Sequence, residues 1–308
     1  MTPMTHTRRS LLTLGLLSGL TGCASWRGAR PHHPLQDRVW DVRGGCFIDV
    51  GEALTRATSS RYVLLGEAHD SVAHHAVQLQ VLQRLHAAGQ RGTVAMEQFD
   101  SEHQAALRAA QAGGEQDAER LAEAGRLNRQ GWRWPLYKDL IAWAAAHGWP
   151  LQGVNLSRAE GRRIAMREVR PVLPLLPQAV LTQMENDVVL GHCGHRPAPA
   201  LLAALVDAQR ARDVRMAEGM DAAARAPVVL IAGLGHVRRD RAVPRYLSQP
   251  ECALVVGLQE VRDAVTVPTA YDSAGLDLLW FTAAQTREDP CARALPLFKS
   301  NETKKDPP

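Results

Sequence analysis

The sequence predicts an α/β fold, a mostly parallel central sheet flanked by helices, with a helical cap insertion. Three observations carry that expectation. Short, nearly continuous apolar runs recur along the chain with helical-period sequence between them, as parallel strands buried on both faces require. The 308 residues are 45% hydrophobic and 22% charged, the balance of a globular chain and not of a disordered or fibrous one. Four of the runs also end in polar residues, as strands do when their carboxyl ends open on one crevice.

Taken in order, the chain begins with Arg8-Arg9, an apolar run over 11–20, and Leu20-Thr21-Gly22-Cys23. A basic start, a short apolar stretch and small residues before a cysteine make a secretory signal, too short to span a bilayer of about 20 apolar residues. The Leu-x-Gly-Cys ending resembles a bacterial lipobox. It predicts removal of 1–22 and acylation of Cys23, palmitate included, with Ala24 at the following position leaning toward the outer membrane. Arg8-Arg9 also fits a twin-arginine signal, and a plain secretory route fits nearly as well. The two arginines carry half of the +4 net charge, so the mature chain is close to neutral. No dense Lys/Arg stripe is present, which excludes nucleic acid as an expected partner.

Residues 23–38, rich in Arg, Pro and His, read as a tether, and 39–290 as a single α/β domain. Strands are predicted at 62–66, 93–96, 151–154 and 228–232, with two more at 253–256 and 278–281. Helices are predicted at 72–88, 102–111, 135–147, 157–169 and 200–224. The charged, glycine-flanked stretch 113–131 reads as a mobile helical cap, and 291–308 as a polar tail. Cys46, Cys193, Cys252 and Cys291 allow up to two disulfides in an oxidising compartment, or remain buried thiols.

The strand ends hold the chemistry. The first strand runs into Gly66-Glu67-Ala68-His69-Asp70, the second into Glu97-Gln98, the third into Asn155 and the fourth into Gly233-Leu234-Gly235-His236. Parallel strands present these ends to one edge, so Glu67, His69, Glu97, Asn155 and His236 are expected to converge. Glu and His together can hold a divalent metal and activate water, which makes a metal-dependent hydrolase using Glu67, His69, Glu97 and His236 one expectation. His74 and His75 are adjacent on a helix and point roughly 100° apart, so at most one faces the crevice; His75 shares an apolar stripe and is as well suited to a buried role. His192-Cys193-Gly194-His195 has ligand density but also reads as a glycine turn or half of a disulfide. Gly-x-Ser-x-Gly, P-loop, dinucleotide and Cys-x-x-Cys-His patterns are all absent from the sequence.

The run 63–70, Val-Leu-Leu-Gly-Glu-Ala-His-Asp, followed by His74-His75, resembles the signature of the ChaN-like haem-binding lipoproteins, more distantly related to the Tiki and erythromycin-esterase group. The likeness continues through Met96-Glu97, Asn155-Leu156, the stretch 208–217 and Gly233-Leu234-Gly235-His236, over roughly 39–285. The resemblance implies an α/β protein that binds haem noncovalently, forms a homodimer in at least some members, and serves haem and iron uptake at the outer membrane, where a haem receptor is an expected partner. Ser71-Val72 departs from the Asn-Pro common at that helix entry.

Haem needs an apolar slot, an axial donor such as His, Tyr or Cys, and cations for its propionates. With four tyrosines in the chain, Tyr137 among Trp132, Trp134, Trp143 and Trp149 is the first expected ligand and Tyr246 the second. His236, His69 and His75 are further candidates, Trp134 a slot wall, and Arg210, Arg133 or Arg212 propionate partners.

Overall fold

The computed structural model describes residues 32–288 and 291–292. Cys23 and most of the predicted tail lie outside them. The strands are β1 Val39–Asp41, β2 Cys46–Ile48, β3 Tyr62–Glu67, β4 Thr93–Asp100, β5 Leu151–Asn155, β6 Val228–Gly233, β7 Ala253–Glu260 and β8 Leu278–Thr282. They form one sheet in the order β2-β1-β8-β7-β3-β6-β4-β5, parallel from β8 to β5, with β1 antiparallel to both of its neighbours. The β1–β2 ribbon escapes a sequence reading because each strand is only three residues long, too short to show a period. Ahead of it, Leu35 is buried and the Asp37 N–H bonds the Phe281 carbonyl, so this part of the expected tether lies on the sheet.

The helices are α1 Val50–Thr58, α2 Val72–Ala87, α3 Gln104–Ala112, α4 Ala118–Ala124, α5 Lys138–Ala146, α6 Arg158–Ala165, α7 Gln178–Gly191, α8 Pro199–Asp221 and the single turn α9 Leu234–Val237. The strands alternate sides to make two cores. Val63 and Leu65 of β3 face α1, α2, α4 and α5, while Tyr62 and Leu64 face Met216 and Met220 of α8. Both faces of β3 are therefore buried, which is why its sequence is continuously apolar.

Three expectations are corrected. The helix predicted over 157–169 stops at Ala165 because Arg167 adopts φ +59°. The stretch 113–131 carries α4, whose Leu121 and Ala122, with Leu127 beyond it, are buried in the core, so it is packed and not a mobile cap. Residues 166–198, with α7, form a second insertion that periodicity did not reveal. Of the four cysteines after Cys23, Cys193 and Cys291 form a disulfide, while Cys46 and Cys252 are exposed thiols. The dense His192–His195 stretch is thus a disulfide-bearing turn.

Candidate functional site

The sheet order sets β3, β6 and β4 side by side, so Glu67 pairs in register with Gly233, and Glu97 follows the last β4 residue paired with β6, Met96. Two glycines make the ends fit. A Cβ on Gly66 would lie 2.4 Å from Val237 of α9, and one on Gly233 would lie 3.0 Å from the His69 ring. The glycines therefore let α9 and His69 close over the strand ends.

Glu67 is buried and fully engaged. Its Oε1 accepts from His69 Nδ1 at 3.0 Å, from Gln98 at 3.3 Å and from the Tyr137 hydroxyl, and its Oε2 accepts from Gln78 at 2.6 Å. His75 Nε2 stands 3.3 Å from Oε2, with no aligned hydrogen bond. Burial alone would raise the Glu67 pKa, but the His69 and His75 contacts outweigh it and hold it at about 2. Glu67 is thus a permanent buried carboxylate. It cannot act as a general base in the crevice, contrary to the hydrolase expectation, because its lone pairs already have donors.

What Glu67 does is orient His69. Because the carboxylate takes the Nδ1 hydrogen, Nε2 presents its lone pair toward the crevice. The His69 side chain is 45% exposed, and Nε2 lies 4.0 Å from Glu97 Oε2. Burial opposes protonation of His69, yet Glu67 and Glu97 together raise its pKa. A second carboxylate–histidine unit stands opposite: Asp213 of α8 bonds His236 Nδ1 at 2.6 Å, and His236 Nε2 lies 3.6 Å from Glu97 Oε1. Glu97 is itself fixed by the Gly233 N–H at 2.8 Å, and the Asn155 amide donates to its carbonyl at 2.9 Å. Burial would lower the His236 pKa, but Glu97 and Asp213 raise it to about 9, so this imidazole is a cation at neutral pH. His74, buried with Nδ1 accepting from the Ala68 N–H, is pushed down to about 4 by burial and stays neutral, pinning the turn that carries His69.

These groups floor a cleft of about 380 Å³ lined by His69, Glu97, Gln98, Asp100, Trp132, Asn155, Arg158, Arg212 and His236. Trp132 meets the His69 ring edge-on at 5.0 Å. Ser157 and Glu160 form a capping box that starts α6 and sets Arg158 at the rim. Neither Arg158 nor Arg212 has an ion-pair partner among the described residues.

The predicted convergence of Glu67, His69, Glu97, Asn155 and His236 is present, but the haem-ligand expectations change. Tyr137 is fully buried, its hydroxyl bonded to Glu67, and burial beside that carboxylate drives its pKa far above the phenol range. It is an interior hydrogen-bond donor and does not line the cleft. Tyr246 packs on the core beneath α8 and does not line the cleft. His75 is buried against the Tyr137 ring. Trp134 bonds Glu119 outside the cleft, and Trp132 takes the wall position. Arg210 is buried and donates to the Pro174 carbonyl, whereas Arg212, half a turn on, faces the cleft. Arg133 pairs with Asp70. Sequence reasoning missed Asp213 and Gln78 as partners, because nothing local links a helix carboxylate to a histidine 23 residues later.

A metal would need donors closer together than His69, Glu97 and His236 stand. Among the described residues only Asp100, Glu102 and His103 bring one ligand atom each within 4.8 Å of one another.

A family model described as haem-binding uptake, Tiki superfamily, ChaN matches residues 53–247. Among solved structures, one described as cofacial haem binding to ChaN of Campylobacter jejuni superposes with a TM-score of 0.69 at 23% identity, over 79% of this chain and 95% of that one. That likeness shows a shared fold. The type III effector HopBA1 matches at TM-score 0.42 and 13% identity, over 76% of this chain and 92% of that one. The erythromycin esterase EreC matches at 0.38 and 13%, over 80% and 82%. No protein of curated function matches.

Proposed function

The chain belongs to the ChaN family of haem-binding uptake proteins in the Tiki superfamily, and from that premise we propose that it binds haem noncovalently in the cleft above β3, β6 and β4. The observation that carries this reading is His69, an accessible imidazole whose Nδ1 is held by a buried carboxylate and whose Nε2 is turned outward. A histidine so backed is a prepared iron donor. Trp132 supplies an aromatic edge beside it, and Arg158 and Arg212 offer cations to propionates. Haem, when bound, supplies the iron that is carried; the chain's part is to offer the donor, pair the carboxylates and keep Glu67 and Glu97 from competing for the ligand.

The biological setting we propose follows the sequence: an exported lipoprotein, acylated at Cys23 and held at the outer membrane, working in haem and iron uptake as a homodimer alongside an outer-membrane haem receptor. Replacing Cys23 by Ala is expected to abolish incorporation of labelled palmitate.

Hemin titration tests the site. His69→Ala is expected to weaken binding at least tenfold and move the Soret band, while Tyr137→Phe leaves the band in place. A band insensitive to His69→Ala but lost with Tyr137→Phe would reject this ligand assignment. Because the His69 pKa is raised, protonation competes with iron, and affinity is expected to fall with falling pH at a higher pH than for an ordinary histidine.

A second reading is favoured by one arrangement: two carboxylate-backed imidazoles flank the single carboxylate of Glu97. Those are the donor types a metal-dependent hydrolase uses, but His69, Glu97 and His236 would have to draw closer than they stand here, and His236 would have to lose its proton, to hold an ion that would supply Lewis-acid activation. Metal analysis with an ester and amide turnover assay, using Glu97→Gln as control, tests it; a metal-free, inactive protein would reject it.

A further inference from the structure

Residues 170–177 read Arg-Pro-Val-Leu-Pro-Leu-Leu-Pro and run without helix or strand between α6 and α7. Prolines three apart favour a polyproline II helix, which turns once every three residues, so its side chains fall on three edges. The structure gives one edge inward: Leu173 packs on the Leu156–Ile164 cluster, and Leu176 on the cluster between α7 and α8. The Pro174 carbonyl accepts from Arg210, tying the segment to α8. Another edge carries Val172 and Leu175, each 99% exposed. Single exposed aliphatics are ordinary. Here two stand together on a braced ridge, with Met166, 60% exposed, on the same connection.

The rim of this ridge is basic. Residues 157–177 hold five arginines (158, 162, 163, 167 and 170) against two glutamates (160 and 168), with no lysine or aspartate. Arg163 lines one groove with Val172, Ile164, Val169 and Leu173. It stands 3.8 Å from Glu168, with both side chains largely in water, and Arg167 pairs with Asp207. Arg162 and Arg170 are exposed and have no ion-pair partner among the described residues.

We propose that this ridge docks on an anionic phospholipid surface. Aliphatic side chains presented within an arginine rim are what peripheral binding requires: the first insert at the boundary of headgroups and acyl chains, and the second attract anionic headgroups. The charge argues against a second copy of the same face, because a twofold contact would set arginines against arginines. Among the described residues no helix is long and apolar enough to cross a membrane, so the contact is peripheral. It turns the body toward the bilayer by a surface that adjoins the haem cleft, with Leu156 lining both and Arg158 at the border, and it does not depend on the haem reading.

Every buried hydrophobic residue among those described lies between Leu35 and Phe281, so a chain starting at Ala24 keeps the whole core and lacks the acylated cysteine. This form is the one to test by cosedimentation with vesicles of phosphatidylcholine alone or mixed with phosphatidylglycerol. Binding is expected to the mixed vesicles and to weaken in high salt. Val172→Asp with Leu175→Asp is expected to lower it by roughly tenfold or more, and Arg163→Gln and Arg170→Gln by roughly fivefold each. Unchanged far-ultraviolet circular dichroism and melting temperature would show each variant folded. Absence of binding to mixed vesicles, equal binding by the Val172→Asp/Leu175→Asp form, or self-association abolished by that pair without vesicle binding would each overturn the proposal.

Discussion

Glu67 shows how a residue visible in the sequence changes role once its neighbours are known. Gly66-Glu67-Ala68-His69 advertised two reactive side chains; the fold spends one to prepare the other. Glu67→Gln keeps the volume but brings an amide donor against Gln78, Gln98, Tyr137 and His69, all of which now donate to it. It is expected to lose about 3–5 kcal/mol of stability, as removing one member of a buried charged network does, read as a shifted urea midpoint with unchanged slope. The histidines predict a pH profile. His236, raised to about 9, contributes stability that is fully present below its ordinary 6.5 and is lost as pH climbs through 9. His74, lowered to about 4, acts the other way: between 6.5 and 4 the unfolded chain takes up a proton that the folded chain refuses, so stability falls as pH falls through that window. Glu67, held at about 2, adds a further loss as pH drops from 4.5 toward 2. Denaturation midpoints measured from pH 4 to 10 should therefore peak near neutrality, and His236→Ala should flatten the alkaline limb.

At the scale of elements, the six parallel strands were readable because strands buried on both faces are apolar from end to end, and their polar exits mark the carboxyl edge. The helices α2, α3, α5, α6 and α8 were also readable, to within a few residues, whereas α1 was missed despite its buried stripe of Ala53, Leu54 and Ala57. The β1–β2 ribbon and α7 were not readable either. Three-residue strands carry no period, and α7 has only Met184 and Val188 buried along fourteen residues. The joint closest to the cleft is Gly66 under α9. Gly66→Ala would drive a methyl into Val237 and is expected to cost about 1–3 kcal/mol and to disturb His69 and His236 together. Weakened hemin binding alongside a lowered melting temperature would show that coupling; either change alone would place the strain elsewhere.

The whole molecule adds constraints that join distant parts of the chain. The Cys193–Cys291 disulfide closes a loop of 98 residues between the turn after α7 and the segment beyond β8. Cys193→Ser is expected to lower stability by about 2–4 kcal/mol, an effect that reductant should reproduce in the unmutated chain and not add to in the variant. The sequence by itself determined the α/β class, the strand ends that converge, the lipobox-like start and the family to which the chain belongs, because each is written in local pattern or contiguous motif. Only the tertiary structure decided which of those polar residues face the cleft. Strand order sets β6 between β3 and β4, and that juxtaposition buries Tyr137 on Glu67, sends Arg210 inward and Arg212 outward, and leaves the Nε2 of His69 open. Those outcomes depend on contacts between residues up to 136 positions apart, such as the Gly233 N–H on Glu97, and no local period or motif encodes a partner at that distance.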